Sequence, residues 1–133
     1  MIYLDSSAVV KLLRAEDWSG DLVVWLGERG DERLASSALV EVEVPRALSR
    51  HGATLTGVAG MMARLDRLDI DAAVRTTAAA YDLPTLRSLD AIHLATAQIL
   101  HESAGPLTGF VAYDDRLLAA AESVGLPAVS PRR

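Results

Sequence analysis

No cysteine occurs among the 133 residues, which excludes disulfides, thiolate chemistry and cysteine-ligated zinc or iron–sulfur centres. Lysine is nearly absent too: of 13 basic residues only Lys11 is a lysine, a bias that fits a GC-rich, alanine-rich coding background and carries no functional weight. The formal net charge of −5 argues against a general nucleic-acid coat protein, because such proteins present basic stripes that displace counterions from phosphates. It leaves room for an enzyme that acts on nucleic acid. Apolar runs span only a handful of residues, and Met1-Ile2-Tyr3-Leu4-Asp5 has neither a basic nor a long apolar leader region. A membrane span and a secretory signal are therefore not expected, and a cytoplasmic location is. There is no glycine-rich phosphate loop and no second acid two residues after Asp5 of the kind an aspartyl-phosphate phosphatase needs. Nor does a lysine late in the chain complete a phosphoacceptor receiver domain.

What is present is organised around Met1-Ile2-Tyr3-Leu4-Asp5-Ser6-Ser7-Ala8. The short apolar run reads as a buried strand, followed by an acid, two hydroxyls and a helix through Lys11-Leu12-Leu13. With half its residues hydrophobic, the chain is expected to form one domain over residues 1–133 that buries roughly two thirds of its unfolded surface. Ser19 reads as the cap of a helix to about Gly27, with Trp18 and Trp25 as core or half-buried packing residues rather than the lining of a partner groove. Leu34-Ala35-Ser36 reads as a second strand, and Ser37 as the start of a helix to His51-Gly52 that Pro45 should kink. A helix over 53–67, a strand over Leu68-Asp69-Ile70 and a helix from Asp71 to about Tyr81 follow. Ser88 then caps the helix Leu89–Leu100, which puts Asp90 in a first turn. Phe110-Val111-Ala112 is a strand running into the helix that begins at Asp114, and Ala128-Val129 is a last strand. Strands alternating with helices predict an α/β fold: a parallel sheet with helices on both faces.

Asp5, Asp90 and Asp114 each fall where a carboxylate caps free N–H groups or complements a helix dipole, so singly each reads as a cap. Glu43 breaks that pattern. It is expected mid-helix between Val42 and Val44, with no cap to satisfy, where a carboxylate is costly unless paired or bound to a cation. Glu41, two residues away, points elsewhere. If the first and fourth strands are neighbours, Asp5 and Asp114 emerge together at the sheet's switch point, with Asp90 and Glu43 on the rim. Acids so gathered repel, and their pKa values should rise as a set unless a cation joins them. Oxygen donors without a histidine or cysteine cluster select Mg²⁺ or Mn²⁺. His93 shares a helical face with Asp90 and reads as a packed, hydrogen-bonded histidine. A carboxylate-held divalent ion suits hydrolysis of a phosphate ester by activated water.

The segments Ile2-Tyr3-Leu4-Asp5-Ser6-Ser7-Ala8, Ser36-Ser37-Ala38-Leu39-Val40-Glu41-Val42-Glu43, Leu86-Arg87-Ser88-Leu89-Asp90-Ala91-Ile92-His93-Leu94-Ala95 and Val111-Ala112-Tyr113-Asp114 resemble, in order and spacing, the PIN-domain ribonucleases. Within them the match is to the VapC toxins of bacterial toxin–antitoxin pairs. The resemblance spans essentially the whole chain and implies a three-layer α/β/α sandwich with a central, mostly parallel sheet. It also implies Mg²⁺- or Mn²⁺-dependent endonucleolytic cleavage of RNA, often transfer or ribosomal RNA. A cognate antitoxin that occupies the site, a homodimer and a toxin–antitoxin hetero-oligomer are implied with it. Carried over by position, Asp5, Glu43, Asp90 and Asp114 form the acidic set. Asp5, Asp90 and Asp114 are the metal ligands, and Ser6 is a supporting hydroxyl. Asp114 is preferred to Asp115 because it directly follows Tyr113. Arg87, Lys11, Arg14, Arg46, Arg50 and Arg116 are candidate phosphate contacts, Arg87 first because it precedes the Asp90 helix. Two other readings remain: a non-catalytic module of the same fold whose acids only cap helices, and a nuclease directed at DNA.

Overall fold

A computed structural model describes residues 1–132. Five strands form one sheet: β1 (Ile2–Leu4), β2 (Leu34–Ser37), β3 (Leu65–Leu68), β4 (Gly109–Val111) and β5 (Ala128–Val129). Their spatial order is β3-β2-β1-β4-β5 and every pairing is parallel. The helices among the described residues are α1 (Ser6–Leu13), α2 (Ser19–Gly27), α3 (Val40–Arg50), α4 (Val58–Ala63), α5 (Ala72–Ala79), α6 (Ser88–Ser103) and α7 (Asp115–Ser123).

β1 is central and wholly buried, so its alternation feeds two cores. Ile2 and Leu4, with Val111 of β4, pack under α1, α2, α3 and α4. Tyr3, with Ala35 and Phe110, packs under α6 and α7, its ring stacked on Phe110 at 5.3 Å between centroids. The expected α/β/α sandwich is therefore present, with the sheet parallel throughout. None of the described helices is long and apolar enough to cross a membrane.

Several boundaries differ from the sequence reading. The helix expected over 53–67 shrinks to α4, and the strand expected at 68–70 lies at Leu65–Leu68, where it pairs with β2 through Leu34↔Leu65 and Ser37↔Leu68. Ser37 belongs to β2, and its Oγ accepts from Leu39 N–H across the turn, so α3 starts only at Val40 and runs unbroken through Pro45. Glu43 consequently sits in a first turn, where a carboxylate also complements the helix dipole. Ser19 and Ser88 are first helical residues rather than caps: the positions before them, Trp18 and Arg87, make no side-chain capping bond.

Gly109 shows how closely α2 sits on the sheet. A Cβ there would meet Trp25 Cη2 at 3.0 Å and Val129 Cγ2 at 3.2 Å. Gly109→Ala should destabilise the protein by about 1–3 kcal/mol through overpacking, seen as a lower urea midpoint at unchanged slope. A midpoint equal to wild type would mean that the Trp25 ring yields freely.

Candidate active site

The sheet's connections leave β1 toward β2 on one side and β4 toward β5 on the other, so the switch point lies between β1 and β4, where open α/β sheets form their ligand crevice. Asp5 follows β1 directly and Asp114 follows β4 three residues on. Both cap the helix they precede. Ala8 N–H donates to Asp5 Oδ1 at 3.0 Å, and Arg116 and Leu117 N–H donate to Asp114 Oδ1 at 2.9 and 3.1 Å. Capping thus aims these carboxylates, because each spends one oxygen on its helix and leaves the other for the crevice. Asp90, in the first turn of α6, and Glu43, in the first turn of α3, complete the ring. All four acids line one cleft of ≈ 390 Å³, together with Ser6, Ser7, Glu16, Arg50, His51, Arg87 and His93.

The acids differ in electrostatic state. Asp5 is 5 % exposed, and its burial pushes its carboxyl up. The charge of Asp90 adds to that rise, against the pull of His93, Ser7 and the Ala8 N–H. Asp90 is also raised, first by desolvation and then by Asp114 and Glu43, despite the opposing guanidinium of Arg87. Glu43 departs from the expected common rise. Desolvation works upward, yet hydrogen bonds from His93 and Ser6 outweigh it and hold the carboxyl below its ordinary value.

The cause is a buried chain of bonds. The Tyr3 hydroxyl is pushed well up by burial, so it stays protonated. It lies 2.7 Å from His93 Nδ1, and His93 Nε2 lies 2.8 Å from Glu43 Oε1. With Tyr3 donating to Nδ1, the network assigns the imidazole hydrogen to Nε2, which donates to Glu43. Ser6 Oγ donates to the same Oε1 at 2.6 Å and lies 3.1 Å from Nε2. His93 is thus packed and hydrogen-bonded as expected, but its partner is an acid of the cleft. Its position three residues after Asp90 was the available signal, whereas the Tyr3 hydroxyl and Ser7, which donates to Asp5 Oδ1 at 2.6 Å, had none. Glu16 likewise carries no local signal that places it in the cleft wall.

The basic candidates separate. Arg87 reaches across the cleft mouth, its Nε 3.6 Å from Asp90 Oδ2 and one Nη 3.8 Å from Asp114 Oδ2, contacts too long to be hydrogen bonds. Arg50 lines the cleft, while Arg46 borders a neighbouring hollow with Pro45 and Ser49. Lys11 and Arg14 are held by Glu16 at 3.1 and 2.6 Å. Arg116 faces a different groove with Leu83, Thr85 and Leu86. Asp115 is exposed beside that groove, whereas Asp114 lines the cleft. Glu41 points away and pairs with Arg67 at 3.4 Å.

Among the described residues no three acidic or histidine side chains close on one point as a ready-made metal cage. Magnesium does not need one. It keeps several waters and takes one or two carboxylates plus substrate phosphates. Asp5 and Asp90, oxygen donors that both resist ionisation together, fit such a hard divalent cation.

Comparison with known proteins places the chain in a family. A PIN domain family model matches residues 2–123. Ribonuclease VapC35 of Mycobacterium tuberculosis is 54 % identical over 134 residues, covering 98 % of this chain and 97 % of the relative. Ribonuclease VapC46 of the same species is 42 % identical over 131 residues and Ribonuclease VapC47 40 % over 136, each with the same coverage of both chains. The crystal structure of Mycobacterium tuberculosis VapC20, described as a sarcin–ricin loop cleaving toxin, superposes with a TM-score of 0.69 at 19 % identity, over 90 % of this chain and 95 % of that one. The chain belongs to the PIN-domain family, in its VapC branch.

Proposed function

We propose that this chain is the endoribonuclease toxin of a toxin–antitoxin pair, hydrolysing RNA phosphodiester bonds with a divalent cation, Mg²⁺ or Mn²⁺, held by Asp5 and Asp90 with Asp114 beside them. The observation that carries the reading is the convergence of four carboxylates from four elements on one cleft, two of them with raised pKa. The relatives' designation as ribonucleases supports the substrate class. It makes transfer or ribosomal RNA the first substrates to try.

When bound, the cation would polarise the phosphate and make water a stronger nucleophile. The protein's own groups do the rest. Glu43 Oε1 is occupied by Ser6 and His93, which leaves Oε2 to accept a hydrogen bond from the attacking water and fix its direction. Its lowered pKa keeps Glu43 ionised, so it orients rather than donates. Arg87 is 73 % exposed and only loosely held by Asp90 and Asp114, so it is available to a phosphate oxygen once those acids face a cation. A cognate antitoxin that occupies the cleft, a homodimer and a toxin–antitoxin hetero-oligomer belong to the same proposal and rest on the kinship with VapC proteins.

The test is thermal melting with Mg²⁺, Mn²⁺ or EDTA, beside a matched RNA and DNA cleavage assay. A cation bound only by the folded state adds about 2.7 kcal/mol at a hundredfold excess over its Kd. The melting temperature should therefore rise with metal, Asp5→Asn should lose that response, and RNA should be cut and DNA left intact. No metal response and no cleavage by protein shown free of antitoxin would favour a binding module whose acids only cap helices.

A further inference from the structure

Trp18 is out of place by every local criterion. It has φ +65° and ψ 7°, the left-handed region, which a bulky side chain seldom adopts. Its indole remains 40 % exposed and provides no cap to α2. Strain of this kind persists only where the surroundings impose it, and it concentrates at functional sites.

The surroundings here are an aromatic platform. The Trp18 ring lies parallel to Tyr113, 6° between planes and 6.3 Å between centroids. Lys11 Nζ stands 4.4 Å from the Tyr113 centroid, and the Arg132 guanidinium lies 4.6 Å from that of Trp18. The platform is continuous with the cleft. Tyr113 immediately precedes Asp114, and Glu16, which binds Lys11 and Arg14, is part of the cleft wall.

We propose that the Trp18–Tyr113 pair is a stacking subsite for one unpaired nucleobase of the RNA, next to the nucleotide whose phosphate enters the acid cleft. This rests on the ribonuclease reading and extends it to single-stranded substrate. Two observations carry it. A planar cation, the Arg132 guanidinium, already lies over the Trp18 ring at 4.6 Å from its centroid, and guanidinium groups and bases share a preference for an aromatic face. Lys11 and Arg14, both paired with Glu16, and Arg132, 3.8 Å from Asp115, place three cations around the platform that can turn to the backbone flanking a bound base. A base can stack on a protein ring only once it has left its own stack, so the subsite is for splayed-out nucleotides.

The closing experiment reads Trp18 directly. In a chain carrying Trp25→Phe and Asp90→Asn, Trp18 is the sole tryptophan; in EDTA the RNA stays intact. Titration with a single-stranded hexaribonucleotide should quench its fluorescence saturably, and a blunt duplex of the same sequence should not. Trp18→Gly removes the ring and suits the positive φ, so the melting temperature should hold while the affinity, read by anisotropy of labelled RNA, falls about tenfold, the order expected for one stacked base. Trp18→Phe should keep most of the affinity. RNA binding without quenching, an unchanged affinity in Trp18→Gly, or no binding at all would overturn the subsite. Cleavage by the unaltered chain is scored separately. RNA cut by a chain whose Trp18 is not quenched sinks the platform alone, and quenching in a chain that never cuts RNA sinks the ribonuclease reading alone.

Discussion

Asp90→Asn is expected to lower RNA cleavage about a thousandfold, the several kcal/mol that a cation contributes to a phosphoryl transition state, while leaving a folded protein that melts higher than wild type without metal. The two effects share one cause. Asp90 is half-buried, makes no capping bond, and faces Asp114 and Glu43 across the cleft. Its carboxyl is raised in the folded state, so it favours folding while protonated, below the unfolded value of about 3.9. That contribution is lost as pH rises through the folded pKa, and at neutral pH the ionised group is a net cost. Asparagine removes the charge at nearly the same volume. The gain in melting temperature over wild type should therefore grow with pH from the acid side, level off above the raised pKa, and disappear in saturating Mn²⁺, which relieves the same repulsion in wild type. Asp5→Asn should act in parallel, since the amide oxygen still accepts from Ser7 and the Ala8 N–H. A variant that keeps wild-type turnover, or one that melts lower at every pH, would contradict the assignment. The first would remove Asp90 from the metal site, and the second would make it a structural acid.

The acids were legible in the sequence because their placement is local. Asp5 and Asp114 each stand where a short apolar strand gives way to a helix, and the same junction that makes them caps delivers them to the crevice once β1 and β4 lie side by side. Glu43 announced itself by its apolar neighbours. What resisted was decided at long range. Leu65-Asp66-Arg67-Leu68 carries two charges and suits a helix surface. It becomes a strand because β2 presents an edge for it, an example of tertiary pairing overriding local preference. Ser19 and Ser88 have the residue type of a cap but not the geometry, since the chain enters each helix one residue earlier. The protonation of Glu43 is likewise set at long range. Counting like charges predicts a rise, and His93, distant in sequence, reverses it.

That reversal predicts a large structural effect at His93. The side chain is 2 % exposed and joins Tyr3, Ser6 and Glu43. His93→Leu fills similar volume, but it leaves the buried Tyr3 hydroxyl without its acceptor and the half-buried Glu43 carboxylate with only Ser6. An unsatisfied buried donor costs about 1–3 kcal/mol, and stranding a charge adds to that, less here because Glu43 is 26 % exposed. A loss of about 2–4 kcal/mol in denaturant unfolding follows. The pH dependence distinguishes this from simple loss of packing. With its carboxyl held low, Glu43 contributes stability that is present above its unfolded pKa and is lost as pH falls through the folded value. In His93→Leu that contribution shrinks, so the gap from wild type should be widest at neutral pH and narrow below about pH 4, the ordinary glutamate range. His93→Gln can donate to Glu43 from its amide and should recover part of both stability and turnover. A gap independent of pH, with no recovery in His93→Gln, would mean that the imidazole is only filling space and that Glu43 is positioned by Ser6 alone.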